Sequence, residues 1–177
     1  MSESEASREV IDPAVNVFAV IGDSNVQRNL VDYNCTGRED MHSAQLIPCT
    51  SMSTFSGSLA KIRPNVNVLI LACLSNFLRD SNDSSDPGSR MTDALSRFRD
   101  LLFPYCESNP DLMVMVAAPQ YSRVPVWYSG SLSLALQLLK DLVFDAHPYP
   151  NLHPLPAQCN QVYWSCSCRF LYRLFSC

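Results

Sequence analysis

Val15-Asn16-Val17-Phe18-Ala19-Val20-Ile21-Gly22-Asp23-Ser24-Asn25 decides the fold of this chain. From Val15 to Ile21 every residue but Asn16 is apolar. A nearly continuous apolar run reads as a strand buried on both faces, the environment that a parallel sheet provides. The run stops at Gly22-Asp23-Ser24-Asn25, and Val26, Leu30 and Val31 then recur at helical spacing. Strand, tight turn and helix follow one another.

The same alternation repeats outward from this segment. Residues 44–48 read as a second strand, 54–62 as a helix and 66–72 as a third, central strand. Residues 80–89, rich in Ser, Asn, Asp, Pro and Gly, read as a loop, and 91–103 as a helix with Leu95, Phe98, Leu101 and Leu102 on one face. Residues 112–118 form a fourth strand, 132–144 a helix, and 151–155 a fifth strand whose prolines confine it to an edge. The order βαβαβαβαβ with right-handed crossovers predicts a doubly wound three-layer α/β sandwich. Residues 1–13 are a polar lead, 14–156 a single domain, and 157–177 a tail of cysteines and aromatics without helical or strand period, expected to be poorly ordered.

Composition narrows the function classes. At 177 residues with 47% hydrophobic and 17% charged residues, the chain falls among soluble globular domains. A formal net charge of -4 with scattered Lys and Arg carries no electrostatic signal for nucleic acid. The acidic start lacks a secretory signal and no apolar run is long enough to span a bilayer, so a cytoplasmic or nuclear location without membrane attachment is expected. In that setting Cys35, Cys49, Cys73 and Cys106 read as reduced thiols. Cys159, Cys166, Cys168 and Cys177 lack the paired spacing of a zinc site, and no metal or other cofactor is called for.

In doubly wound sheets ligands bind beyond the carboxyl ends of the strands, where Ser24 stands after the first strand. A serine there caps the following helix, and the amide N–H groups of the first helical turn favour negative charge. The same hydroxyl is also positioned as a nucleophile with part of an oxyanion site beside it. Asn76, in Cys73-Leu74-Ser75-Asn76 after the third strand, reads either as a turn residue or as a side-chain oxyanion donor.

The first strand, Gly22-Asp23-Ser24-Asn25 and Cys73-Leu74-Ser75-Asn76 together resemble the SGNH/GDSL-type hydrolases. The resemblance implies a flavodoxin-like three-layer αβα sandwich with a mostly parallel five-stranded sheet, Ser24 as nucleophile and Asn76 as oxyanion donor. Two features depart from the family's pattern. Pro48-Cys49-Thr50-Ser51 stands where a glycine usually supplies a third oxyanion N–H, with Gly57 too deep in the next helix to substitute, and Asp-x-x-His is missing, which leaves the C-terminal part of the fold incomplete.

Topology ranks the three histidines. His42 and His147 fall in connections at the amino ends of strands, across the sheet from Ser24 and beyond the reach of a general base. His153 lies on or just past the fifth strand and is the weak candidate base. Pro119-Gln120-Tyr121, Pro125-Val126-Trp127-Tyr128 and Pro150-Asn151-Leu152-His153-Pro154-Leu155-Pro156 further resemble SGNH-like proteins found in multiple copies in some invertebrate genomes. Those are similar to esterase-like domains associated with certain non-LTR retrotransposons. By this resemblance the catalytic Asp-x-x-His segment would follow Pro156, where the atypical tail begins, as in a truncated or alternatively spliced form. Trp127 and Tyr128 read as packing anchors or as pocket lining.

The expected function is therefore hydrolysis of a small acyl ester through Ser24, without cofactor. The alternative is a catalytically dead SGNH-like binding module, a pseudoenzyme or truncated product. A dinucleotide-binding domain ranks behind both, because no Gly-x-Gly-x-x-Gly turn follows the first strand.

Overall fold

A computed structural model of the chain describes residues 17–23, 45–79, 86–119, 131–147 and 149–155. In chain order the elements are β1 (Phe18–Gly22), β2 (Gln45–Pro48), α1 (Met52–Leu59), β3 (Val68–Ala72), α2 (Leu74–Arg79), α3 (Pro87–Ser108), β4 (Met113–Val116), α4 (Ser131–Leu139) and β5 (Leu152–Pro154). Helix α4 runs on into a π-helical turn over Lys140–Phe144. The strands form one parallel sheet in the order β2-β1-β3-β4-β5. This is the doubly wound order in which the direction of winding reverses between β1 and β3.

Burial explains why the two most apolar runs became the inner strands. Every residue of β1 and β3 is buried. Ala19, Ile21, Leu69, Leu71, Val114 and Val116 face a core shared with Phe55, Phe77, Leu95, Phe98 and Leu102 of the helices. Phe18, Val20, Val68 and Ile70 alternate with them, point to the opposite face and are buried there as well. A sheet covered on both faces is the three-layer α/β arrangement expected from the apolar runs.

Two details depart from the sequence reading. The loop expected over 80–89 ends early, because α3 begins at Pro87. The Asp86 carboxylate accepts the Ser89 N–H at 3.2 Å, and proline in the first turn loses no intrahelical bond, so Asp86-Pro87 is a start signal rather than a loop signal. The same helix passes Pro104, on its exposed side, and runs to Ser108, because Met91, Ala94, Leu95, Phe98, Leu102 and Cys106 keep an unbroken buried stripe. The second departure is α2, over a stretch that the sequence reading leaves between elements. Its apolar residues Leu74, Phe77 and Leu78 are helically spaced and all buried.

Two polar side chains tie neighbouring elements together. The Asn67 carboxamide oxygen accepts the Val17 N–H at 2.9 Å and aligns the starts of β1 and β3. Asn151 is buried, and its side-chain amide donates to the carbonyls of Cys106, Asn109 and Leu112 at 3.2, 2.9 and 3.1 Å. It thereby ties the end of α3 and the turn into β4 to the start of β5. Among the described residues no helix is long and apolar enough to cross a membrane.

Candidate functional site at the carboxyl edge of the sheet

The ladder brings three chain segments to one edge. Gly22, the last residue of β1, pairs with Pro48 of β2 on one side and Ala72 of β3 on the other. The Cys49 N–H donates to the Gly22 carbonyl at 2.9 Å, and the Asp23 N–H donates to the Ala72 carbonyl at 3.4 Å. Positions 49, 23 and 73 therefore share the rung just beyond the last strand pairs, with Asp23 in the middle and buried. Ser24, the next residue in the chain, lies outside the described residues, as do His42, Trp127, Tyr128 and the 157–177 tail.

Asn76 is half-buried in α2, immediately after β3. Its backbone N–H donates to the Cys73 carbonyl at 3.2 Å, so the turn that carries it is closed on the end of the strand. Beneath it, Phe77 meets Phe55 of α1 and Phe98 of α3 at ring-centroid distances of 5.5 and 6.0 Å, and Phe55 meets Phe98 at 5.3 Å. This triangle of rings fixes α1 and α2, the two helices that leave the edge after β2 and β3.

The segment after β2 offers little to an oxyanion. The Cys49 amide is committed to Gly22, and Gly57 sits in the body of α1. Helix α1 starts without a side-chain cap from Ser51, whose carbonyl instead accepts the Thr54 N–H and hydroxyl at 3.2 and 2.9 Å.

The two described histidines stand apart from this edge. His147 lies between the π turn and β5, at the amino end of the sheet, and packs on Tyr149 with ring centroids 4.4 Å apart. His153 is exposed on the edge strand β5, opposite Met115. Three strand spacings separate β5 from β1, about 14 Å.

Sequence reasoning missed what Cys49 and Cys73 do together, although each directly follows a strand flanking β1. Both are fully buried free thiols. A hydrogen bond from the Cys73 thiol holds Cys49 down at about 6 against the opposing effect of burial, and the Thr54 hydroxyl, 3.7 Å from the sulfur, adds to it. Burial, reinforced by Cys49, pushes Cys73 well above the ordinary thiol range.

The pair makes stability depend on pH with a defined sign. Between about 6 and 9.0 the unfolded Cys49 thiol binds a proton that the folded one has lost, so folding strengthens as pH rises through that window and weakens as pH falls back through about 6. Above 9.0 the unfolded Cys73 ionises while the folded one stays protonated, and stability declines. Urea midpoints of wild type and Cys49→Ser should therefore diverge from pH 6 to pH 9. A constant gap would show that Cys49 keeps its proton in the fold.

Among the described residues no group of three or more His, Cys, Asp or Glu side chains is arranged to hold a metal ion. No protein-family model matches the chain, and no curated protein or solved structure matches it either.

Proposed function

We propose that this chain is an SGNH-type serine ester hydrolase whose site lies at the carboxyl edge between β1 and β3. The reading is carried by the sheet order together with the Gly22–Ala72 pairing. In such sheets the reversal of winding opens the crevice that receives ligands. Ser24 follows Asp23 in the chain and Asn76 lies in the first turns after β3, so both issue from neighbouring strand ends at that reversal.

In the proposed reaction the Ser24 hydroxyl attacks the carbonyl carbon of a small acyl ester. The Ser24 N–H and the Asn76 side-chain amide hold the oxyanion, the alcohol leaves, and water then releases the acyl group. The placement of the histidines favours slow turnover. Of the described histidines, His147 is at the wrong end of the sheet and His153 on its far edge, and a serine that neither can serve as base loses orders of magnitude in rate. The same placement supports a second reading, a catalytically inactive SGNH-like module that binds rather than hydrolyses.

A fluorophosphonate probe separates the two. Labelling of the folded protein is expected, abolished in Ser24→Ala and slowed by about 10²–10³-fold in Asn76→Ala, the usual cost of one oxyanion donor. His153→Ala should label at the wild-type rate, since its ring stands on the far strand. A folded sample that resists the probe would leave the binding module as the reading.

A further inference from the structure

The second face of the sheet carries a gradient of burial that no described helix accounts for. The crossovers from β2 to β3, β3 to β4 and β4 to β5 all run the same way across the sheet, so right-handed connections put α1, α3 and α4 on one face. Their Phe55, Phe98 and Leu139 accordingly pack with Ile21, Leu71 and Val114. The register sets the opposite face in rows. Phe18, Val68 and Met113 form the first, with exposures of 4%, 6% and 41%. Val20, Ile70, Met115 and His153 form the second, passing from buried at β1 and β3 through half-buried to exposed. A single exposed methionine is ordinary on a protein surface. Two rows that open in the same direction mark a face whose cover thins from β4 outward. Residues 24–44 join β1 to β2 at the other side of the sheet, so this side is left to the chain that follows β5.

That chain has no strand edge to extend. The Asn151 carbonyl and the Leu155 N–H bond to Val114 and Val116 of β4, so the amides of the alternate residues, Leu152 and Pro154, face outward. The Leu152 N–H is taken by the Tyr149 carbonyl at 3.1 Å, and Pro154 has none, which leaves β5 without a donor for a sixth strand. We propose that residues 157–177 instead fold back over the second face of β4 and β5 and lay their aromatic side chains on Met113 and Met115. The segment leaves the sheet beside β5, where Leu155, on the same face as His153, is already buried. Its 21 residues span about 31 Å even as a helix, whereas the four residues of β4 span about 13 Å. It carries Trp164, Phe170, Leu171, Tyr172, Leu174 and Phe175 but no Asp, Glu or His, so it can cover an apolar surface and brings no carboxylate or imidazole side chain to the carboxyl edge. Thioether–aromatic contacts are favourable and tolerate irregular packing, which suits a segment without a regular period. The tail is then part of the cover of the fold, in place of the poorly ordered end expected from its composition, and this holds whether or not Ser24 is catalytic.

Photo-crosslinking of the full-length protein tests this. Met113 is replaced by p-benzoylphenylalanine, isotopically light and heavy chains are mixed and irradiated, and the digested peptides are mapped by mass spectrometry. Links from position 113 should fall within 157–177 and join peptides of one isotope only. The same probe in place of Leu136, which is 42% exposed on α4, should not reach the tail. Links to a second copy, links to residues 24–44, tail links of equal yield from both probes, or no link at all overturn the proposal. A second readout needs no bulky probe. Hydrogen peroxide should convert Met113 to its sulfoxide several-fold more slowly in the native chain than in a variant carrying Trp164→Ser, Phe170→Ser and Phe175→Ser, while Met52, on α1, oxidises equally in both. Equal rates at Met113 would likewise overturn it.

Discussion

Phe55→Ala should cost about 3–5 kcal/mol of folding stability, the range for removing a fully buried aromatic ring from a close-packed core. The ring is completely buried and touches Phe77 and Phe98, so its loss opens a cavity where three helices meet and also removes two aromatic contacts. Domains of this size are stable by only about 5–15 kcal/mol, so the variant should be near its unfolding threshold at room temperature. Urea denaturation measures the loss, with Leu136→Ala as the comparison, since Leu136 is 42% exposed on α4 and should change stability by no more than about 0.5 kcal/mol. A loss below about 1 kcal/mol for Phe55→Ala would mean that the helices close over the gap. Because Phe55 braces the helix after Cys49 and Phe77 the helix that carries Asn76, any surviving folded Phe55→Ala should also react more slowly with the fluorophosphonate.

Asn151→Ala is expected to cost about 3 kcal/mol, for a different reason. Its side-chain amide serves three backbone carbonyls, those of Cys106, Asn109 and Leu112, in a buried setting. Removing the donor leaves acceptors away from water, each carrying a penalty of about 1–3 kcal/mol that local relaxation partly relieves. Asn151→Asp is the sharper test. An ionised carboxylate only accepts, so it would face three carbonyls without a proton to offer, and the loss should exceed that of alanine at neutral pH. Lowering the pH restores one O–H donor and should recover part of the deficit. Thermal melts of both variants across pH check this, and equal losses at every pH would show that the side chain is not a donor at this junction.

Asn151 also shows how a residue can be read for the wrong property. In the sequence it belongs to Pro150-Asn151-Leu152-His153, a stretch whose histidine and resemblance to other proteins stand out first. In the fold the asparagine is the working member and the histidine is an exposed edge residue. Nothing within four or five residues of Asn151 reveals this, because its acceptors lie 39 to 45 positions earlier. A polar residue is legible as structural only once the carbonyls it serves are known.

Local sequence carries the succession of the five strands and their inner or outer rank. Unbroken apolar runs at Phe18–Gly22 and Val68–Ala72 could only be stable between two covered faces, and prolines beside His153 could only be tolerated on an edge. Asn76 was legible in the same way, as a polar residue just beyond a buried strand. Tertiary structure alone decided the neighbours. The order β2-β1-β3 brings Cys49 and Cys73, 24 positions apart, to opposite sides of Asp23. The physical reason is that periodicity records which face of an element is apolar, a local property, whereas hydrogen bonds and thiol contacts depend on which strands lie side by side, and crossover connections settle that over tens of residues.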